Sequence, residues 1–159
     1  MVSDAIPPRD ATSPIAEMSA QRFDLAFNGY WREPNIAGIP PEPGVFCVYV
    51  CTFKASEKTV SLHSIIYIGF AENVNAAVAA SKPWPQWEER KTRVDQQLCF
   101  NFAPAPSDSL RRIAAALIYQ HRPATNAEYI DNFPFESTTV HSTGRMNLLQ
   151  PEFTAQTNG

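Results

Sequence analysis

Residues 45–53 read VFCVYVCTF, an apolar run of β-branched and aromatic side chains that lies between Pro43-Gly44 and the polar stretch 54–58. Such side chains favour strands, and a short apolar run between turn-forming residues is typical of a strand buried in a sheet. We therefore expect a strand at residues 45–53, and the predicted fold is built around it.

Two further runs have strand character. Residues 64–70 (SIIYIGF) follow after a polar loop, a spacing that suits an antiparallel hairpin, and residues 97–102 (QLCFNF) alternate like an edge strand. Between them, residues 73–80 (NVNAAVAA) predict a helix that Asn73 caps. Residues 87–95 are charged and mixed in sign, which indicates a second, partly exposed helix or a turn.

The clearest helix is predicted at residues 110–121, whose apolar side chains share one face and which Pro123 follows. Residues 22–31 form a compact aromatic segment that predicts another strand, and residues 138–140 predict a short one. The expected fold class is therefore α+β: a small, mainly antiparallel, three-stranded central sheet flanked by helices, with flexible termini.

The chain of 159 residues has the usual length of a single domain. We expect a flexible leader at residues 1–21, one domain at residues 22–150 with its motifs in residues 43–126, and a tail at residues 151–159. The start of the chain has no apolar signal region, and no apolar stretch is long enough to cross a membrane. The expected location is the cytoplasm, without a membrane partner.

Charge and cysteine content limit the function classes. Lys and Arg number 13 and Asp and Glu number 16, so the net charge is 13 − 16 = −3, and nucleic-acid binding would need a local basic patch. Cys47, Cys51 and Cys99 have neither the spacing of a zinc site nor that of a secreted disulfide framework. Buried free thiols are the expected state.

Three motifs occur in a fixed order along the chain. Gly44-Val45-Phe46 begins one predicted strand, Tyr67-Ile68-Gly69 ends the next, and residues 117–126 read LIYQHRPATN, a helix end followed by Pro and Asn. In this order and at this spacing the chain resembles the GIY-YIG nuclease superfamily over residues 43–126. The resemblance implies a metal-dependent endonuclease that cuts DNA with one divalent metal, a metal-binding glutamate, a tyrosine near the scissile phosphate and an arginine.

The positions that would carry this chemistry are largely changed. The YIG tyrosine is kept as Tyr67, and Asn126, a structural support in the family, remains. The first tyrosine is replaced by Phe46, the arginine by Ala77 and the metal-binding glutamate by Ala114. Loss of one such group costs about 10² to 10⁴ in rate, so the resemblance implies a degenerate site whose residues are relics.

A rearranged nuclease site stays open as the alternative. His63, His121, Glu88 or Glu89 would then have to reach the site from elsewhere. We expect no metal and no cofactor, with Mg²⁺ required only if this nuclease alternative holds.

Aromatic and basic residues outside these positions are candidates for binding a nucleic acid or a partner. Trp84 and Trp87 form either an exposed platform or core packing, and Tyr67 is either a catalytic relic or a sheet aromatic. His121 and Arg122 contact phosphate or offset the helix dipole. The full set of binding candidates is Lys82, Trp84, Trp87, Arg111, Arg112, His121 and Arg122.

The sequence thus leaves two hypotheses. The first is a catalytically inactive GIY-YIG-like module that binds a protein partner or assembles into a homo-oligomer. The alternative is a GIY-YIG-type DNA endonuclease, or a nucleic-acid-binding protein with a rearranged site. The alternative predicts a basic surface beside Tyr67.

Overall fold

A computed structural model describes residues 20–157, so most of the predicted leader, residues 1–19, and the last two residues of the tail lie outside the described residues. Within that range the strands are β1 (Gln21–Arg32), β2 (Gly44–Lys54), β3 (Thr59–Ala71), β4 (Gln96–Pro104), β5 (Thr138–Gly144) and β6 (Glu152–Ala155). The α-helices are α1 (Val74–Ala80), α2 (Pro85–Glu88) and α3 (Leu110–His121), with 3-10 turns at Glu33–Gly38 and Ser107–Ser109.

The strands form one mixed sheet of six strands in the order β3-β2-β4-β1-β5-β6. Strands β1 and β5 are parallel, and the other neighbours are antiparallel. The expected three-stranded sheet flanked by helices is therefore wrong. Strands β2, β3 and β4 do pair as an antiparallel unit, but β1 extends it through β4, and β5 and β6 extend it further. These added pairings join distant parts of the chain, so they cannot be predicted from the local periodicity of the sequence.

The prediction of an edge strand at residues 97–102 is also wrong, although the strand itself exists. Strand β4 pairs with β2 on one side and with β1 on the other. Its alternation reflects two different buried environments: Leu98, Phe100 and Phe102 face one core, whereas Cys99 and Ala103 face the other. A strand buried on both faces needs no polar side.

Strand β2 shows why its sequence is apolar throughout. Val45, Cys47, Tyr49 and Cys51 enter a first core, which lies under helix α3. The alternate residues Phe46, Val48 and Val50 enter a second core on the opposite face, beneath α1 and α2. Because successive strand residues point to opposite faces, a strand covered on both faces is apolar at nearly every position.

A buried asparagine connects the first core to the loop after β5. The amide of Asn101 accepts a hydrogen bond from the Cys47 N–H at 2.8 Å and donates to the Tyr49 hydroxyl at 3.2 Å and to the Arg145 carbonyl at 2.9 Å. The Tyr49 hydroxyl in turn donates to the Asn147 carbonyl at 2.8 Å. Buried polar groups are stable only when they are hydrogen-bonded, so this network fixes the loop against the sheet.

The helices largely follow their sequence signals. Asn73 caps α1 as predicted, since its side chain accepts from the Ala76 N–H at 2.9 Å, and α3 has the predicted range. The charged stretch 87–95 is mostly turn, with α2 ending at Glu88. Among residues 20–157, every helix is too short or too polar to cross a lipid bilayer.

Candidate functional site: the surroundings of Tyr67

The two tripeptide motifs are neighbours in the sheet. Phe46 of β2 and Gly69 of β3 are directly opposite each other, and the ring centroids of Phe46 and Tyr67 are 6.1 Å apart. A Cβ atom on residue 69 would lie 2.7 Å from Phe46 Cζ and 2.7 Å from Tyr67 Cε2. Glycine is therefore required here to make room for the two rings, independently of any catalytic role.

The other relic positions are not all on this face. Ala77 is half-buried on α1, whose Val74 and Val78 enter the second core together with Phe46. Ala114 is fully buried in the first core, on the opposite face of the sheet. The structure therefore brings Phe46, Tyr67 and the α1 helix to one side and separates them from Ala114. The five relic positions do not line one cleft.

Asn126 lies at the outer edge of the sheet. Its side-chain amide accepts from the Ile68 N–H and donates to the Ile68 carbonyl, both at 2.9 Å. The backbone N–H of the preceding Thr125 donates to the Ile66 carbonyl at 2.9 Å. Residues 125–126 thus provide hydrogen-bond partners for the backbone groups on the free edge of β3 near Tyr67, which is a structural role.

Tyr67 separates two surface pockets. One pocket, of about 360 Å³, is lined by Tyr67, Ser81, Trp84, Pro85, Gln86 and Trp87. The other, of about 410 Å³, is lined by Tyr67, Ile68, Gly69, Phe70, Ile118, Thr125, Asn126, Ala127, Glu128 and Tyr129. We refer to these two pockets together as the Tyr67 site, to the first as its tryptophan pocket and to the second as its acidic pocket.

The Tyr67 hydroxyl stays available to a ligand. Within residues 20–157 it has no hydrogen-bond partner, although the ring is half-buried. Burial raises the pKa of this phenol, and the nearby Glu128 carboxylate raises it further. The hydroxyl is therefore neutral and can donate or accept a hydrogen bond. A phenol whose pKa is raised is a poor general base at neutral pH.

The two tryptophans belong to the second core and are almost fully buried. Trp84 is 4% exposed and Trp87 is 7% exposed. Their ring centroids lie 6.0 Å apart, and Trp87 lies 5.2 Å from Tyr67. The indole N–H of Trp84 donates to the Val78 carbonyl at 2.9 Å. The rings thus form a rigid wall of the tryptophan pocket, and Lys82 lies over Trp84 with its Nζ 5.1 Å from the ring.

The basic candidates do not gather into one patch. Within residues 20–157, Arg112 makes four hydrogen bonds, to the Thr138 hydroxyl, the Gln21 side chain and the Glu136 and Ser137 carbonyls, near the start of β1. Its neighbour Arg111 donates instead to the Tyr129 hydroxyl at 3.1 Å and lies over the Phe70 ring. Lys82, in contrast, lies over Trp84 of the second core.

His121 and Arg122 are engaged within the protein. The His121 Nδ1 is 2.9 Å from the Leu117 carbonyl and its Nε2 accepts from the Gln150 N–H at 2.9 Å, so the ring is neutral with the proton on Nδ1. Burial lowers the pKa of this imidazole. Arg122 pairs with Asp131 at 2.8 Å. Because both side chains are engaged by contacts within the protein, the structure does not support a role for them as phosphate ligands.

Three of the four residues that would have to rescue catalysis, His63, His121 and Glu88, have other contacts. The His63 ring is 2.7 Å from the Thr52 hydroxyl, and Glu88 forms an ion pair with Lys91 at 2.6 Å, whereas Glu89 is exposed. Within the described part of the chain, no three His, Cys, Asp or Glu side chains gather in the geometry of a metal site.

The cysteines are as predicted: Cys47, Cys51 and Cys99 are buried free thiols. Burial raises the pKa of Cys47 to about 12, which keeps this thiol protonated and unreactive.

The most important residue that the sequence did not reveal is Glu128. It is exposed and lines the acidic pocket beside Tyr67 because the chain after α3 turns back along β3. A single glutamate in a polar loop has no sequence signal of its own. Gln86 and Ala127, both exposed on the two pockets, were missed for the same reason.

Comparison of the chain with protein-family models, with curated proteins and with solved structures finds no match. The resemblance to GIY-YIG nucleases therefore stays a prediction that rests on the motifs around Gly44, Tyr67, Gly69, Pro123 and Asn126.

Proposed function

We propose that this protein is a non-catalytic binding module that holds a segment of a protein partner at the Tyr67 site. The observation that carries the proposal is the arrangement of two adjacent pockets on either side of one half-buried tyrosine. Ligand sites combine apolar walls with a few polar groups that fix orientation. Here aromatic rings form part of the walls, and the Tyr67 hydroxyl and Glu128 are among the polar groups.

The placement of the relic positions supports a role without hydrolysis. Phosphodiester cleavage needs a metal or cation where charge develops and a group that orients the nucleophile, all within reach of one phosphate. Ala114 supplies no oxygen ligand and lies across the sheet from Tyr67. Phe46 supplies no hydroxyl and packs against Tyr67.

Local charge supports a protein ligand over a nucleic acid. Among the described residues that line the two pockets, Glu128 is the one that carries a charge, and it is negative. A phosphate backbone would meet repulsion there. The alternative required a basic surface beside Tyr67, yet Arg112 and Arg122 are held by contacts elsewhere. Arg111, which lies over Phe70 at the acidic pocket, brings one positive charge that the nearby Glu128 offsets.

Site-specific photo-crosslinking in the protein's own cells tests the binding role. A photoreactive phenylalanine analogue is placed at Gln86 or at Ala127, both exposed at the site, and at Glu57 in the β2–β3 hairpin as the control. We expect adducts with protein segments at positions 86 and 127 and none at 57. Nucleotide adducts, or equal labelling at all three positions, would contradict the proposal.

A DNA assay tests the missing chemistry directly. The full chain is incubated with labelled duplex, branched and single-stranded DNA in the presence of Mg²⁺ or Mn²⁺. We expect neither cleavage nor salt-sensitive binding. Metal-dependent cleavage that the Tyr67→Phe variant abolishes would instead establish the nuclease alternative.

A further inference from the structure

The geometry points to a basic partner segment, one that places an arginine or lysine side chain against Glu128 beside the Tyr67 ring. This inference rests on the proposed function of the Tyr67 site and specifies the chemistry of its partner. In this inference the acidic pocket binds the cationic side chain, and the tryptophan pocket binds a neighbouring apolar side chain of the same extended segment.

The first argument is the unpaired carboxylate. Glu128 is exposed, lines the acidic pocket and forms no ion pair with any residue in the range 20–157. By comparison, Glu88, the residue that follows Trp87 in the chain, is already paired with Lys91. A cationic side chain in the pocket would therefore meet a carboxylate that makes no direct ion pair within residues 20–157 and has only a longer-range interaction with Arg111. Burial under the partner would strengthen the attraction.

The second argument is the aromatic lining. Tyr67, Phe70 and Tyr129 line the same pocket as Glu128. Aromatic faces attract guanidinium and ammonium groups. The wall of this pocket already holds one guanidinium, because Arg111 lies 5.3 Å from the Phe70 ring centroid and donates to the Tyr129 hydroxyl. The wall thus has the chemistry that the proposed partner side chain needs.

Arg111 allows a basic partner to be distinguished from an acidic one. This guanidinium is near the acidic pocket but bound to Tyr129, and it would repel a second cation. If the partner is basic, removing the charge of Arg111 must therefore tighten binding. If the partner instead offers a carboxylate to Arg111, the same change must weaken binding. The two partner chemistries give opposite signs.

Peptide selection provides the probe. A library of random twelve-residue peptides displayed on phage is selected on the full chain and on its Glu128→Gln variant. We expect the peptides selected on the wild-type chain to be enriched in Arg and Lys next to apolar residues or proline. The peptides selected on the Glu128→Gln variant should lack this enrichment. Wild-type selection without the enrichment, or an enrichment that persists on Glu128→Gln, overturns the inference.

Titration calorimetry of one selected peptide then measures the contribution of each charge. We expect Glu128→Gln to weaken binding by about 3- to 10-fold, since partly exposed ion pairs contribute modestly. Arg111→Gln should strengthen binding by about 2- to 5-fold. The matched control Glu57→Gln removes the same charge from the distant hairpin. It should change the affinity less than about 2-fold, because salt screens the interaction between distant exposed charges.

Failure of this inference is distinguishable from failure of the proposed function. If no peptide prefers the wild type over a Gln86→Arg variant that obstructs the tryptophan pocket, the site binds no segment and both proposals fail. If peptides bind there without basic residues, only the inference fails. If the full chain dimerises and Gln86→Arg makes it monomeric, the occupant is a second copy and the basic segment is overturned.

Discussion

The side-chain amide of Asn126 accepts a hydrogen bond from the backbone N–H of Ile68 and donates one to the carbonyl of the same residue, both at 2.9 Å. The asparagine therefore takes the place of a neighbouring strand at the edge of the sheet. This closes β3 against pairing with other chains at the point where it forms the wall of the Tyr67 site.

Asn126→Ala should lower the free energy of unfolding by about 1–3 kcal/mol, because two partly buried backbone groups of Ile68 lose their partners. Urea denaturation followed by circular dichroism measures the change. Asn132→Ala, at an exposed position of the same loop, is the control and should cost less than about 0.5 kcal/mol. Equal losses in the two variants would show that the Asn126 bonds contribute nothing specific.

Gly69→Ala should destabilise the protein by about 1–3 kcal/mol, because the added methyl group overlaps the rings of Phe46 and Tyr67. The double variant with Phe46→Leu should recover part of this loss, since the shorter side chain vacates space beside residue 69. A double-mutant cycle of unfolding free energies checks this coupling. Strict additivity would mean that the ring of Phe46 is not the obstacle.

His121 should make the protein less stable as the pH falls below neutrality. Burial lowers the pKa of the folded imidazole, so below the unfolded value of about 6.5 the unfolded chain binds more protons. The stability is thus fully present above that pH and is lost as the pH falls through the folded pKa. Unfolding free energies at several pH values should show this loss in the wild type and less of it in His121→Gln. An NMR titration of the His121 ring with a midpoint above about 6.5 would contradict the assignment.

The cysteines should resist modification in the folded protein. Cys47, Cys51 and Cys99 are buried, and a thiol-disulfide reagent needs an exposed thiolate. With an aromatic disulfide reagent at pH 8, we expect no rapid reaction in buffer and reaction of all three cysteines in concentrated guanidinium chloride. A Ser61→Cys variant, at an exposed position of β3, should react at once and serves as the control. Rapid labelling of the wild type would show that the first core opens readily.

Much of the local structure could be predicted from the sequence. The strand at residues 45–53, the helix cap at Asn73 and the helix at residues 110–121 are all present in the structure. Each depends on interactions between residues close together in the chain, and those leave a local pattern. The pairing of β1 with β5 leaves none, because it joins Gln21 to Thr138 through backbone groups that every residue possesses.

The candidate site also has features that the sequence determined and features that only the tertiary structure decided. The amino-acid identities at positions 46, 77 and 114 determined by themselves which chemical groups the chain lacks, since neither alanine nor phenylalanine can bind a metal or a proton. Only the tertiary structure decided that Ala114 lies across the sheet from Tyr67 and that Glu128 lies beside it. Side-chain chemistry is fixed residue by residue, whereas proximity between distant residues arises from packing around two cores, which no short stretch of sequence specifies.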